Sequence, residues 1–408
     1  MPNFLIILLA LSVLFSTGWA NVVPGIDILI STPMIEKLTG KKIAVMTNQT
    51  GITKNGQTSI DALYIHSKDF KIVKLFAPEH GLNGQAYASD PIMDSKGPHG
   101  IPVVSLYGKT RRATPEMLKG IDVIVYDIQD IGSRSYTFIS SLFYLMEEAA
   151  KLNIPVMVLD RPNPINGVTI DGPMLQNKFR SFVGYINIPY CHGMTIGELA
   201  KFFNSEYKIG CSLEVIPMKG WKRRMSFKDT KLPWIPTSPN VPEADTPLYY
   251  PMTGILGEIG MVSIGIGFTL PFKVIGAPWV DGENLAKQLN QLNLPGVHFK
   301  PFYFRPFSGK YHKENCSGAL IMVTNPLIYK PVISQYAIID TLKKLYPKKF
   351  KDSIQKGASN MFNKVNGTDL IFKTMQSNDR WLSTLNLFTV ERRQFEEVRK
   401  KYLLNYEY

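Results

Sequence analysis

The chain has 408 residues, more than the roughly 250–300 at which a single hydrophobic core stops growing, so two domains are expected. Its 45% hydrophobic and 19% charged residues are typical of a globular protein and exclude a disordered or low-complexity chain. The formal net charge of +13 favours anionic partners, but the basic residues are dispersed, which disfavours nucleic acid. The three cysteines, Cys191, Cys211 and Cys316, allow at most one disulfide and lack C-x-x-C spacing.

The first twenty residues differ from the rest of the chain. An uncharged apolar run extends from Phe4 to Phe15, and the small residues Gly18 and Ala20 follow it with the spacing of a signal-peptide cleavage site. A bilayer-spanning helix needs about 20 apolar residues, so this run predicts no stable membrane anchor. We predict a signal peptide over residues 1–20 and therefore an exported protein, periplasmic or secreted.

The N-terminal half alternates short apolar runs with loops and helices. Five such runs, rich in β-branched residues and bounded by turn residues, lie at 42–48, 70–79, 101–108, 121–130 and 154–164. Because apolar and polar residues do not alternate in them, the runs indicate strands that are covered on both faces. Apolar residues at helical spacing separate the last two runs, which makes a β-α-β unit. The sequence predicts an α/β fold with a doubly wound, mostly parallel sheet over residues 21–180.

The pattern changes in the C-terminal half. Residues 192–204 predict a helix, residues 211–221 predict a strand, and residues 236–242 form a proline-rich loop. Thr195 and Glu198 have the spacing of a capping box, which indicates a structural role for that glutamate. Several amphipathic helices follow. We predict a second, smaller α+β domain over residues 181–408.

Polar residues cluster where the predicted strands end. In open α/β sheets, ligands bind beyond the carboxyl ends of the strands, so we expect these residues to surround one site. They are Asn48 after the first strand, Glu79 and His80 after the second, Gln129, Asp130, Arg134 and Tyr136 after the fourth, and Asp160, Arg161 and Asn163 after the fifth.

Two carboxylates in this group suit acid–base chemistry. Glu79 follows apolar residues in the stretch "KLFAPEHGLNG", and such neighbours would favour its protonated form and a role as general acid. The alternative is a turn carboxylate that pairs with His80 or caps a helix. Asp130 suits a general base, a charge stabiliser or simply an ion-pair partner of Arg134.

Other residue types in the same loops suit ligand binding. Asp160 and Asn163 can hydrogen-bond to sugar hydroxyls, and Arg161 can bind a carboxylate. Metal-ligand types such as His80 and His192 occur in separate loops without an H-E-x-x-H or close H-x-H pattern, so no metal is predicted. The sequence has no G-x-S-x-G elbow and no dinucleotide fingerprint, and no cofactor is predicted.

Seven motifs occur in order along the chain: "LFAPEHG", "DIQDIGSRSYT", "LDRPNPING", "DGP", "SFVGYINIPYCHGMTIGELA", "PTSPNVP" and "GVHFKPFYFRP". Together they resemble the exo-β-N-acetylmuramidase family of peptidoglycan hexosaminidases, from about residue 25 to the C-terminus. The resemblance implies a Rossmann-like domain, a smaller second domain and an active cleft between them. It also implies release of N-acetylmuramic acid (MurNAc) from the non-reducing end of peptidoglycan fragments.

The resemblance also suggests roles for individual residues. Glu79 matches the family's favoured catalytic acid, and Asp130 is our first choice for the second catalytic group, with Glu258 next and the substrate's own 2-acetamido group as a further possibility. Other motif positions expected around the cleft are His80, Arg134, Asn163, His192 and Asn240. Ile266 stands where many relatives have arginine, so we expect Arg134 or Arg161 to hold the lactyl carboxylate of MurNAc.

These observations predict a metal-free, exo-acting glycosidase. Its expected substrates are the disaccharide of MurNAc and N-acetylglucosamine (MurNAc-GlcNAc) and peptide-bearing muropeptides. The alternatives are a metal-dependent hydrolase of cell-wall amides or esters and a glycan-binding protein without catalysis. A chelator separates the first alternative from the glycosidase, and product formation separates the second.

Overall fold

The computed structural model of the chain describes residues 22–354, 359–377 and 382–408. The predicted signal peptide over residues 1–20 lies outside the described residues. The strands, in chain order, are β1 (Lys42–Thr47), β2 (Lys71–Ala77), β3 (Ser95–Lys96), β4 (Pro102–Ser105), β5 (Val123–Asp127), β6 (Val156–Leu159), β7 (Asp171–Met174), β8 (Pro189–Cys191), β9 (Leu213–Ile216), β10 (Val274–Ala277), β11 (Val297–Phe304) and β12 (Cys316–Val323).

The helices connect these strands and complete the C-terminal part. In chain order they are α1 (Gly25–Ser31), α2 (Ser59–Ile65), α3 (Pro115–Leu118), α4 (Phe138–Lys151), α5 (Ile196–Glu206), α6 (Thr246–Ile259), α7 (Gly282–Asn290), α8 (Pro331–Leu345), α9 (Pro347–Ile354), α10 (Ser359–Asn366), α11 (Leu370–Gln376) and α12 (Leu382–Arg399). Short 3-10 turns lie at Pro33–Leu38, Pro98–Gly100, Asn177–Phe179 and Phe227–Thr230.

The large sheet has the strand order β3-β4-β2-β1-β5-β6-β9. Its strands are parallel, except that β3 at one edge runs antiparallel to β4. The strand order reverses between β1 and β5, so the sheet is doubly wound and the predicted fold class is confirmed. The carboxyl ends of the parallel strands, which include Ala77, Ser105 and Asp127, lie along one edge.

Both faces of this sheet are covered, as the continuous apolar runs predict. In β1, Ile43 and Val45 belong to one hydrophobic cluster, while Ala44 and Met46 belong to another. Side chains of α1 and α2 pack into the first cluster, and side chains of α4 and α5 pack into the second. Alternate side chains of a strand point to opposite faces, so all residues of β1 after Lys42 and all residues of β5 are buried between helices.

Local sequence explains the two helices that cover the second face. In α4, the apolar residues predicted to share one face are all buried: Phe138, Leu142, Leu145, Met146 and Ala149. At the start of α5, the Thr195 hydroxyl accepts a hydrogen bond from the Glu198 N–H at 3.3 Å, and the Glu198 carboxylate accepts one from the Thr195 N–H at 3.0 Å. This capping box confirms the structural role predicted for Glu198.

The second domain is built on a smaller antiparallel sheet with the order β10-β12-β11. Helices α6, α7 and α8 pack with this sheet, and residues such as Ile275, Leu285 and Ile338 join the same hydrophobic cluster that covers one face of the large sheet. The two domains therefore share a continuous core.

The first domain extends past the predicted boundary at residue 180, because β9 pairs with β6 in the large sheet.

Two further features concern the cysteines and the length of the helices. Cys191, Cys211 and Cys316 are all buried and unpaired, so the described fold contains no disulfide between them. In the part of the chain that the structure describes, no helix has the length and apolar character needed to cross a bilayer.

Candidate active site

A cleft with a volume of about 640 Å³ lies at the carboxyl edge of the large sheet. The loops after β2, β4 and β5 line one side, and α6 with the segment that follows it lines the other. Among the lining residues, the carboxylates are Glu79 and Glu258, the long cations are Arg111, Lys310 and Lys364, and the tyrosines are Tyr107, Tyr136, Tyr190 and Tyr250. A site of this size with a few polar groups among aromatic rings suits a small polar ligand.

Glu79 enters the cleft from a tight turn at the end of β2. The Gly81 N–H closes this turn by donating to the Pro78 carbonyl at 3.0 Å. The backbone φ angles of His80 and Gly81 are 70° and 79°, in the left-handed region that residues other than glycine rarely adopt. The His80 ring holds the turn, because its Nδ1 hydrogen-bonds with the Ala86 carbonyl at 2.8 Å.

Hydrogen bonds fix the Glu79 carboxylate in one orientation. Its Oε2 accepts a hydrogen bond from the Thr137 hydroxyl at 2.5 Å, and its Oε1 accepts one from the Ser89 N–H at 3.2 Å. Burial together with the nearby Glu79 charge raises the pKa of the Tyr107 hydroxyl. Only 7% of Glu79 is exposed, although it lines the cleft. A carboxyl group that is buried, oriented and accessible from a cleft has the placement of a proton donor.

Replacing Thr137 by valine is expected to lower kcat without unfolding the protein. Valine has nearly the same shape as threonine but donates no hydrogen bond, so Glu79 Oε2 loses a partner at 2.5 Å. A catalytic group that is less well oriented reacts more slowly, and we expect kcat to fall on the order of 10-fold. Steady-state kinetics with a Thr137→Ser control, which keeps the hydroxyl, measure this effect. An unchanged kcat in Thr137→Val would show that this hydrogen bond does not position Glu79.

Glu258 lies near the end of α6 and is open to the cleft. The cleft walls desolvate its carboxyl group and raise its pKa above the ordinary value. Tyr250, about two turns earlier in α6, is influenced by several carboxylates at once. Burial raises the pKa of Tyr250 to about 12, and the charges of Glu258, Glu79 and Asp130 add to that increase. The charges of all three carboxylates therefore act on one tyrosine.

Asp130 is buried and is not among the residues that line the cleft. Its Oδ2 accepts a hydrogen bond from the Gly132 N–H at 2.7 Å, whereas its buried Oδ1 has no partner among the described residues. Burial raises the pKa of Asp130 to about 7, although the backbone N–H groups of Gly132 and Ile131 oppose this effect. Of the two candidates for the second catalytic group, Glu258 lines the cleft and Asp130 does not.

Arg134 and Arg161 also lie outside the cleft lining. Arg134 is completely buried and donates to the carbonyls of Pro173, Ile188, Val365 and Asn366 at 2.6–3.0 Å. It is not paired with Asp130. Arg161 forms a buried ion pair with Asp127, in which Nε lies 2.5 Å from Oδ1. Because both guanidinium groups are committed to such contacts, their positions give no support to the prediction that either binds the lactyl carboxylate.

Several other predicted site residues lie outside the cleft lining and stabilise loops. The Asn48 Oδ1 accepts from the Thr50 N–H, and the Asn163 Oδ1 accepts from the Ile165 N–H, as in Asx turns. Gln129 donates to the Pro162 carbonyl, and Asp160 accepts from Thr195, Gly197 and Tyr406. Burial lowers the pKa of His192 to about 3, which keeps this ring neutral. The predicted residues that line the cleft are Glu79, His80, Tyr136, Asn240 and Glu258.

The structure adds cleft residues that the sequence analysis did not identify. Tyr107 and Arg111 follow β4, the one predicted strand whose loop was not considered as part of the site. Lys310 and Lys364 come from the second domain, far along the chain. The rule that ligands bind at the carboxyl edge of the sheet points to the loop after β4, whereas no local pattern marks the two lysines.

The cleft brings acid–base side chains together. Among the described residues, no three His, Cys, Asp or Glu side chains come together as a group that could hold a metal ion. The chemistry that the described side chains themselves can supply is proton transfer by Glu79 and charge stabilisation by Glu258 and the cleft tyrosines.

Comparison with solved structures agrees with this architecture. The chain is similar to a DUF1343 family protein of Bacteroides fragilis NCTC 9343, with 39% identity, a TM-score of 0.88, and coverage of 95% of this chain and 99% of the other. A second DUF1343 family protein of the same organism is 27% identical, with a TM-score of 0.71 and coverage of 95% of this chain and 100% of the other.

Sequence comparison identifies the family. The family model for exo-beta-N-acetylmuramidase NamZ matches with its N-terminal part at residues 43–245 and with its C-terminal part at residues 248–405. The chain is also 42% identical over 384 residues to the peptidoglycan beta-N-acetylmuramidase NamZ of Bacillus subtilis (strain 168), covering 93% of this chain and 90% of the relative. With the cleft and its two carboxylates, these matches lead to one conclusion: the chain belongs to the exo-β-N-acetylmuramidase family of glycoside hydrolases.

Proposed function

We propose that the protein releases terminal β-linked MurNAc from the non-reducing end of peptidoglycan fragments, with Glu79 as the general acid. The observation that carries the proposal is the position of Glu79, which is buried, held by Thr137 and Ser89, and directed into the cleft. In glycoside hydrolysis, one carboxyl group protonates the glycosidic oxygen while a second group stabilises the oxocarbenium-like transition state. The position of Glu79 in the cleft suits the first of these two groups.

Glu258 is the candidate that we favour for the second role. It lines the cleft, and its charge reaches Tyr250 together with that of Glu79. Asp130 is not among the residues that line the cleft. A route through the substrate's 2-acetamido group is compatible with the same arrangement, since Glu258 would then polarise the acetamide.

Replacing Glu258 by glutamine is expected to lower kcat/KM more than replacing Asp130 by asparagine. Glutamine removes the charge from the cleft surface, and we expect a loss on the order of 10- to 100-fold, moderated by the exposure of Glu258. Asp130→Asn keeps the acceptor for the Gly132 N–H and is expected to stay within about 3-fold of the parent. Initial rates on MurNAc-GlcNAc compare the two. The reverse ranking would return Asp130 to the catalytic role.

The size of the cleft supports attack at a chain end. Its volume of about 640 Å³ falls within the range for sites that enclose small ligands. Residues from the loops after β2, β4 and β5 and from the second domain surround this volume. Such a cleft suits the terminal sugar of a strand better than several sugars of its interior.

Incubation of the purified protein with MurNAc-GlcNAc and with its peptide-bearing equivalent, analysed by mass spectrometry, tests the proposed function. We expect free MurNAc from the disaccharide and MurNAc-peptide from the peptide-bearing substrate, with unchanged yields in the presence of a chelator. Loss of activity with the chelator would favour the metal-dependent hydrolase. Binding of the disaccharide without product would favour the glycan-binding alternative.

We also propose that the protein acts on peptidoglycan outside the cytoplasmic membrane. The support is the apolar run from Phe4 to Phe15 and the small residues that follow it. Cell fractionation and N-terminal sequencing of the mature protein test this, and we expect the mature chain to begin at Asn21. A cytoplasmic protein that retains Met1 would contradict the export proposal.

A further inference from the structure

We propose that Arg111 binds the lactyl carboxylate of the terminal MurNAc and thereby determines specificity for this sugar. The inference rests on the proposed function, because it concerns the group that distinguishes MurNAc from GlcNAc. MurNAc carries a lactyl ether on O3, and its free carboxylate is an anion that GlcNAc lacks. A cleft that selects MurNAc therefore needs a cation at the position of this group.

Arg111 is held in the cleft by two aromatic rings. Its guanidinium carbon lies 4.9 Å from the centre of the Tyr107 ring and 4.6 Å from the centre of the Phe182 ring. Both rings are almost fully buried and contact each other with their centres 5.9 Å apart, so they form a firm support. Stacking on aromatic faces orients the planar guanidinium and leaves its N–H groups able to bind a carboxylate in a bidentate manner.

Arg111 and the proposed acid line the same cleft, together with Tyr107. The nearby charges of the Glu79 carboxylate and of the Arg111 guanidinium shift the pKa of the Tyr107 hydroxyl in opposite directions, so both groups lie near this tyrosine. In MurNAc, the glycosidic oxygen on C1 and the lactyl group on C3 lie on two sides of one sugar ring. One terminal sugar can thus place its glycosidic oxygen at Glu79 and its lactyl carboxylate at Arg111.

The two other arginines proposed to bind the lactyl carboxylate are poorly placed, and the other cations of the cleft are lysines. Arg134 and Arg161 do not line the cleft. Lys310 and Lys364 line it, but an ammonium group on a flexible stem recognises a carboxylate with less geometric selectivity than a stacked guanidinium. Arg111 is therefore the cation that the geometry favours.

The test compares two substrates in four enzymes. The substrates are 4-nitrophenyl β-MurNAc and the same compound with its lactyl carboxylate converted to a methylamide, which keeps the planar carbonyl group and removes the charge. The enzymes are the parent, Arg111→Met, Arg111→Lys and Lys109→Met. Lys109 is exposed, lies two residues from Arg111 and is outside the cleft lining, so its variant controls for the lost net charge.

We expect the parent to prefer the carboxylate in kcat/KM on the order of 10- to 100-fold, as for a charge-assisted bidentate pair. Arg111→Met is expected to abolish this preference, because cleavage of the carboxylate substrate should fall much more than cleavage of the methylamide. Lys109→Met should keep the preference, and Arg111→Lys should restore part of it. Thermal melting of each variant checks folding.

Two results would overturn the inference while leaving the proposed function intact. The first is a parent that cleaves both substrates equally well. The second is an Arg111→Met variant that keeps the parental preference for the carboxylate. In that case, the same comparison in Lys310→Met and Lys364→Met follows, and loss of the preference in one of them would show that this lysine binds the carboxylate. Failure of the parent to release MurNAc from either the nitrophenyl compound or MurNAc-GlcNAc would instead refute the proposed function, and the inference with it.

Discussion

Replacing Glu79 by glutamine is expected to slow cleavage of MurNAc-GlcNAc on the order of 10²- to 10⁴-fold. Glutamine keeps the side-chain shape and one acceptor oxygen for Thr137 or Ser89 but carries no transferable proton. Folding should survive, because the substitution removes no apolar contact and leaves the turn at residues 78–81 unchanged. Initial rates of glycosidic cleavage measure the effect, with Glu283→Gln on the exposed first turn of α7 as the matched control.

The leaving group separates proton donation from other roles of Glu79. 4-Nitrophenolate leaves with little protonation, so Glu79→Gln should slow cleavage of 4-nitrophenyl β-MurNAc less than cleavage of MurNAc-GlcNAc. The comparison requires rates of the bond-breaking step, since a slow later step would hide the difference. A folded Glu79→Gln variant that cleaves MurNAc-GlcNAc near the parental rate would show that the acid lies elsewhere.

Replacing Arg134 by methionine is expected to lower the free energy of unfolding by about 3–5 kcal/mol. The buried carbonyls of Pro173, Ile188, Val365 and Asn366 would lose their donor, and each unsatisfied buried group costs about 1–3 kcal/mol. Removing a desolvated charge offsets part of this cost, since burial lowers the pKa of Arg134 to about 10. Chemical denaturation measures the net effect.

Kinetics of the same variant distinguish a structural role from substrate binding. Arg134 does not line the cleft, so folded Arg134→Met should keep a KM close to that of the parent. Arg224→Met provides the control for stability, because Arg224 is exposed. A variant with parental stability and a strongly raised KM for MurNAc substrates would instead support binding of the lactyl carboxylate by Arg134.

The first domain could be predicted in detail because its strands are covered on both faces. Such strands are continuous apolar runs, and the predicted runs contain β1, β2, β4, β5 and β6. The domain boundary was harder to predict. The strand β9 was expected near its observed place, but its assignment to the large sheet depends on pairing with β6, which lies more than fifty residues earlier. Local sequence does not specify such a long-range pairing.

The candidate site also depends on long-range contacts that local sequence does not specify. The strand-end rule brings Glu79 to the cleft, yet it does not say which side chains at that edge face the cleft and which face the core. Arg161 pairs with Asp127 from the neighbouring strand, and Arg134 extends toward carbonyls of the second domain. Both are polar residues at strand ends, so only the tertiary packing separates them from Glu79.

The products of glycan-strand digestion at early times test the central claim most directly. Intact strands with MurNAc at the non-reducing end are incubated with the parent enzyme, and the soluble products are identified by mass spectrometry before a tenth of the substrate is consumed. The proposed role of the Glu79 cleft predicts that free MurNAc is the first released product and that Glu79→Gln releases it on the order of 10²- to 10⁴-fold more slowly. Internal oligosaccharides as the main early products, or equal release by both enzymes, would contradict the account.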